Sequence, residues 1–122
     1  MDKKIRNFRE LNVWNKAIEI VKNIYSLSKN FPNQETFELI QQMQRCSVSI
    51  PSNIAEGFNR FPNKEFIHFL YIALGSCAQL ETQLEIAFEL SYVNLELKNI
   101  LLEKIDHESR MLTNLIKKIR ES

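Results

Sequence analysis

Phe66, Leu70, Ala73, Cys77, Leu80, Leu84 and Ala87 follow one another in alternating steps of four and three. Only an α-helix gathers such a series onto one side, because 3.6 residues per turn return a side chain to the same face every third or fourth position. Residues 63–91 therefore read as one helix, roughly 40 Å long at 1.5 Å per residue. A stripe of that length must be covered by other helices of similar length.

Three further segments supply them. Over residues 11–29 two adjacent stripes run at helical spacing: Val13, Ala17, Ile20, Ile24 and Leu27, with Phe31 just beyond, and Leu11, Trp14, Ile18, Val21 and Tyr25. The apolar face is unusually wide for an amphipathic helix. "FPN" ends it, since proline disfavours helical geometry in the residue before it. Asn33 is a suitable N-cap for a second helix over 34–58, with Phe37, Ile40, Met43 or Gln44, Ser47, Ile50, Ile54 and Phe58 in phase. Asn94 caps a fourth over 95–120, with Leu101, Ile105, Leu112, Leu115 and Ile119 as its stripe. The expected fold is all-α, an up-down-up-down four-helix bundle in a single domain over residues 1–122. Two glycines and three prolines in 122 residues fit a few long helices better than a strand-rich fold with many turns.

The stretch "SVSIPSNIAEG", residues 47–57, interrupts the pattern in composition but not in phase. Ile50 and Ile54 stay in step with Met43 and Ser47, so the second helix is expected to continue through Pro51 with a kink. Ser47, Ser49 and Ser52 are short hydroxyls suited to backbone groups freed by a bend, and Gly57 reads as the C-terminal cap region. A catalytic serine would need a positioned base, and no histidine lies in the segment.

Together "FRELNVWNKAIEI", "RCSVSIPSNIAEGFNR" and "EFIHFLYIALGSCAQLETQLEIA" resemble the four helix bundle protein family, which includes proteins encoded in intervening sequences of bacterial large-subunit ribosomal RNA genes. The chain is also similar to the accessory variability determinant of diversity-generating retroelements. On this resemblance Arg45, Ser49, Pro51, Ser52, Asn53, Glu56 and Gly57 are a structural family motif. The resemblance further implies a protomer that assembles into a homopentamer and, for the retroelement relative, a basic surface for nucleic acid and a reverse transcriptase. That relative is markedly basic, whereas this chain carries a net charge of +1. Pro62 and Asn63 also stand where the family often places a capping serine.

Charge is unevenly spread. Residues 1–30 hold seven Lys or Arg against three acids, and residues 62–93 hold one Lys against four Glu. In an up-down-up-down bundle the first helix starts where the fourth ends, so Lys3, Lys4, Arg6 and Arg9 are expected to meet Lys117, Lys118 and Arg120. Such a patch suits phosphates, although Phe8 is its only interleaved aromatic. Cations closing the fourth helix also suit its dipole without any ligand.

Other constellations point to no chemistry. Glu65 and His68 form a single ExxH, and His107 has only Glu103 at a helical spacing, short of the ligand set of a di-metal bundle. Glu81, Glu85 and Glu89 read as a solvated ridge. Cys46 and Cys77 lack CxxC spacing and read as buried thiols of a reducing compartment. "MDKKIRNF" has no apolar core of a signal peptide, and no apolar run is long enough to span a membrane, so the expected location is cytoplasmic.

The expected activity is non-enzymatic, with no cofactor and no metal: a homo-oligomeric bundle acting as a nucleic-acid-associated accessory protein, weakly engaging RNA or DNA. The alternative is a protein-interaction scaffold without a nucleic-acid role. Assembly is expected because the run "FIHFLYIAL" is apolar nearly all round and helix one is wider than one core needs. Gly75 and Ser76, small residues inside the third helix, are expected to admit the close approach of another helix.

Overall fold

The computed structural model describes residues 5–29, 31, 36–60 and 63–122. A 3-10 turn, Phe8–Glu10, leads into α1 (Asn12–Ser28), α2 (Phe37–Phe58), α3 (Asn63–Glu89) and α4 (Leu95–Glu121). Each helix packs on the next and α4 closes on α1, which is the circuit expected of four antiparallel helices. No strand occurs among the described residues.

The four-three series of α3 is buried throughout, against Val13, Ala17, Ile20 and Ile24 of α1, Met43, Ile50 and Ile54 of α2, and Leu101, Ile105 and Leu112 of α4. Each fully buried Leu or Ile contributes about 1.5–3 kcal/mol over leaving it wet, which is what holds the four helices together. The ends are set locally. Asn94 Oδ1 accepts the Leu97 N–H at 2.8 Å and starts α4, as its sequence position predicts. α3 stops in a Schellman turn: the Tyr92 N–H donates to the Ala87 carbonyl (2.8 Å) and the Ser91 N–H to that of Phe88 (2.9 Å), with Ser91 left-handed at φ 65°. The expected caps at Asn33 and around Pro62 lie outside the described residues.

α2 is helical without interruption through Pro51, as the apolar phase requires. The serine hydroxyls reach back one turn: Ser47 Oγ donates to the Gln44 carbonyl (2.8 Å) and Ser49 Oγ to that of Cys46 (2.6 Å). Ser49 also bonds Ser76 Oγ of α3 at 2.6 Å, so the motif fastens α2 to α3.

Three expectations need correction. Gly57 lies inside the last turn of α2, not beyond it, and its φ is ordinary. A Cβ there would stand 2.7 Å from the Phe69 Cβ and 3.2 Å from the Phe66 carbonyl, so glycine is required by the closeness of α3. Gly75 is the reverse, because a Cβ there meets nothing within 4 Å and no helix of the same chain lies against it. Phe37, placed in the α2 stripe by its spacing, is 59% exposed because it opens the helix beyond the reach of the core.

The two glycines should therefore respond oppositely. Gly57→Ala should lower stability by about 1–3 kcal/mol through overpacking. Gly75→Ala should be neutral or stabilising by up to about 1 kcal/mol through helix propensity. Urea unfolding of both variants beside the wild type checks this; equal midpoints for the two would contradict it.

Candidate nucleic-acid interface

The start of α1, the end of α2, the start of α3 and the end of α4 share one end of the bundle. Asn7 Oδ1 accepts the Arg9 backbone N–H (2.9 Å) and its guanidinium (3.2 Å), which caps the 3-10 turn. Asn15 Nδ2 donates to the carbonyls of Arg9 (2.8 Å) and Leu11 (3.0 Å) and fixes the turn to α1. Phe8 rests on Trp14 with ring centres 5.4 Å apart, and the Arg9 guanidinium lies 4.6 Å from the Phe8 centroid.

A groove of about 590 Å³ runs between this segment and α4, lined by Ile5, Leu11, Leu115, Lys118 and Ile119 among others. It places Lys118 across from the arm that carries Arg6 and Arg9. Arg120 leans the other way. Its Nη2 donates to the Tyr71 hydroxyl at 2.9 Å, with the guanidinium 5.5 Å from the ring centre. Lys117 is exposed on the same last turn, and Lys3 and Lys4 lie outside the described residues.

Sequence reasoning missed two members of this end. Arg60, just past α2, is bound to Glu56 (2.9 and 2.7 Å) and lies 5.2 Å from the Phe69 centroid. Tyr71 is 46% exposed beside Arg120. The expectation that Phe8 is the only aromatic among the cations is thus corrected: Phe8, Phe69 and Tyr71 each carry an arginine. The signal was present in "FIHFLYIAL", where Phe69 and Tyr71 fall off the strict stripe, but their partners depend on how α3 is rotated against α2 and α4. The remaining motif residues Arg45, Ser49 and Asn53 line a separate groove between α2 and α3, while Ser52 is exposed and Pro51 buried.

Titratable groups elsewhere are informative mainly by their burial. Cys46 and Cys77 are free, and burial pushes their thiols up to about 11 and about 12, which keeps them protonated and unreactive. Among the described residues no three of His, Cys, Asp or Glu converge to hold a metal ion.

Glu108 is the site residue least legible in the sequence. The α4 stripe runs Leu101, Ile105, Glu108, Leu112 and Ile116, and these are its buried positions. Leu115 and Ile119, expected in the stripe, are only half-buried because the phase steps through a glutamate that a search for apolar residues skips. Glu108 is 0% exposed and neither carboxyl oxygen has a hydrogen-bond partner among the described residues. Burial pushes it up to about 8 against a smaller opposing pull from Lys16 of α1.

This fixes the sign of a pH dependence. The unfolded chain releases this proton near 4.5 and the folded chain near 8, so the folded state binds it more tightly across that window. Stability from this group is highest below about pH 4.5, falls by up to about 1.4 kcal/mol per pH unit, and levels above about pH 8. Glu108→Met should therefore be more stable than the wild type by a margin that grows from pH 5 to pH 8 and then stays constant. Thermal unfolding of both proteins at a series of pH values checks it; a margin independent of pH would contradict it.

The fold and this end define an all-α four-helix bundle with a cluster of cations and aromatic rings at one tip. The model of the 23S rRNA-intervening sequence protein family matches residues 9–114, and the chain belongs to that family. It is similar to a crystal structure from Bacteroides thetaiotaomicron, described as a protein with unknown function from the S23 ribosomal protein family, at 27% identity and a TM-score of 0.80. The match covers 86% of this chain and 95% of that one. No curated protein matches this chain.

Proposed function

We propose that this chain is a non-enzymatic, homo-oligomeric accessory protein that associates with nucleic acid through the tip bearing Arg6, Arg9, Lys117, Lys118 and Arg120. The observation that carries the reading is the set of three arginines resting on Phe8, Phe69 and Tyr71 beside exposed lysines at that tip. Cations take phosphates, and the exposed Tyr71 ring offers stacking to unpaired bases. A chain with a net charge of +1 gains little from its overall field, so the local concentration of cations is what matters.

Membership in a family named for rRNA intervening sequences supports the association with RNA. The homopentamer comes from the family resemblance, and the exposed Tyr71, Ile72 and Ile86 support self-assembly. A non-enzymatic role fits the motif serines, whose Ser47 and Ser49 hydroxyls are committed to carbonyls and to Ser76. A cytoplasmic location fits two unpaired thiols, and no helix among the described residues is long and apolar enough to cross a membrane. The second reading, a protein-interaction scaffold, is favoured by the same exposed apolar side chains.

The two readings separate by salt. Binding of an unstructured single-stranded RNA, followed by fluorescence anisotropy, should weaken with rising salt by a log–log slope of about −0.7 per phosphate contacted. Replacing Lys117, Lys118 and Arg120 by alanine should flatten that slope and weaken binding of all sequences alike. RNA affinity that is absent, or unchanged in the triple variant, would leave the scaffold reading in its place.

A further inference from the structure

At the seam of α2 and α3 the small polar groups are spent on one another. The Ser49 hydroxyl donates to the Cys46 carbonyl and meets Ser76 Oγ, both at 2.6 Å, and the Cys46 thiol donates to the Ser76 carbonyl at 3.1 Å. The seam opens into a groove of about 600 Å³, within the range of about 300–1,000 Å³ typical of small-ligand sites. Four amide side chains stand on its walls, Gln42 and Asn53 from α2 and Gln79 and Gln83 from α3. Most of their hydrogen-bonding capacity is free. Gln42 has no partner among the described residues, and Gln79 takes only a long contact of 3.7 Å from the Cys46 thiol. Asn53 donates to the Ser49 carbonyl (2.8 Å) and keeps its oxygen unengaged. Gln83 Oε1 is buried with no donor among the described residues.

These groups select a ligand chemistry. An amide sets a donor beside an acceptor, the pattern that pairs with the edge of a nucleobase. A buried acceptor without a donor is costly, and a base amine relieves that cost once the Gln83 amide turns into the groove. Among the described residues Arg45 is the groove's one charged side chain; it is exposed and has no ion-pair partner there, which suits a single phosphate. At Gly75 a Cβ would meet nothing within 4 Å, so the face of a flat ring can lie against α3, with Ile72 exposed alongside. An extended peptide also pairs with amides. Continuity with the cationic tip favours a nucleic-acid strand instead, because the same two helices lead to Arg60 and to Phe69, which is one turn from Ile72.

We infer that the α2–α3 groove binds one unstacked nucleotide, its base edge met by Gln79 and Gln83, its face over Gly75 and its phosphate on Arg45. The nucleotide belongs to an RNA strand crossing the tip or is a free nucleoside monophosphate, and only the first source rests on the nucleic-acid reading above. The groove adds a preference among bases that a phosphate-binding tip lacks. It also gives a role to the unshielded glycine in the middle of α3, since a larger residue at 75 would fill the groove.

Two variants test it. Gly75→Leu fills the groove where the chain itself offers no obstacle, and the pair Gln79→Ala with Gln83→Ala removes the edge contacts. Circular dichroism should show the same helix content in both. Anisotropy with short single-stranded oligomers of A, of C and of U, and calorimetry with AMP, CMP and UMP, separate the two sources. The wild type should favour one base by at least about fivefold, the lower end of what a bidentate amide–base pair provides. Both variants should lose that preference, while oligomer binding keeps the wild-type salt slope because the tip is untouched. Oligomer binding that is indifferent to base in the wild type, or a preference that survives either variant, overturns the groove, leaves it to a peptide and spares the nucleic-acid reading. Selective binding of a mononucleotide without affinity for any oligomer upholds the groove and removes the nucleic-acid reading. Silence in both experiments removes both.

Discussion

The approach of α2 to α3 sets the rest of the molecule. Gly57 lets the backbone of α2 come against Phe66 and Phe69, and the Ser49–Ser76 hydroxyl bond holds the same seam one level further along. With no side chain at 57, α3 rolls into α2 with its four-three stripe facing the centre. That roll decides what α3 shows to solvent. Phe69 turns toward Arg60, Tyr71 toward α4 and Arg120, and Ile72 with Gly75 toward the outer groove. A bulkier residue at 57 would rotate all of these together.

What the sequence reveals follows from which interactions are local. The α3 stripe, the Asn94 cap and the passage of α2 through Pro51 depend on residues within one or two turns of each other, and each is found where the spacing places it. The roles of Gly57 and Gly75 are invisible in a string, because both are glycines within helices and only the distance to a neighbouring helix tells them apart. Glu108 is hidden for another reason. Apolar periodicity assumes that charge marks the outside, and a glutamate that keeps its proton obeys a different rule. Reading the α4 phase through Ile105 and Leu112 without regard to residue type would have found it.

The basic tip shows the same division. That Arg6, Arg9, Lys118 and Arg120 share one end follows from helix count and direction alone. That Arg120 turns to Tyr71 while Lys118 borders the α1 groove follows from the rotation of α4, which no single-helix pattern fixes. Arg60 sits in a break between helices, where local residue pattern marks a stop and nothing about a neighbouring ring.

The two thiols lend the fold a built-in clock. Cys77 is fully enclosed between α3 and α4, and its thiol is pushed up to about 12, so in the closed bundle it offers a reagent neither access nor thiolate. Alkylation can proceed only during moments when the helices part, and its rate then counts those moments. Cys46, at the α2–α3 seam with its Sγ donating to the Ser76 carbonyl, keeps a second count on the opposite side of α3. The ratio of the two labelling rates distinguishes a bundle that breathes along one seam from one that loosens everywhere at once.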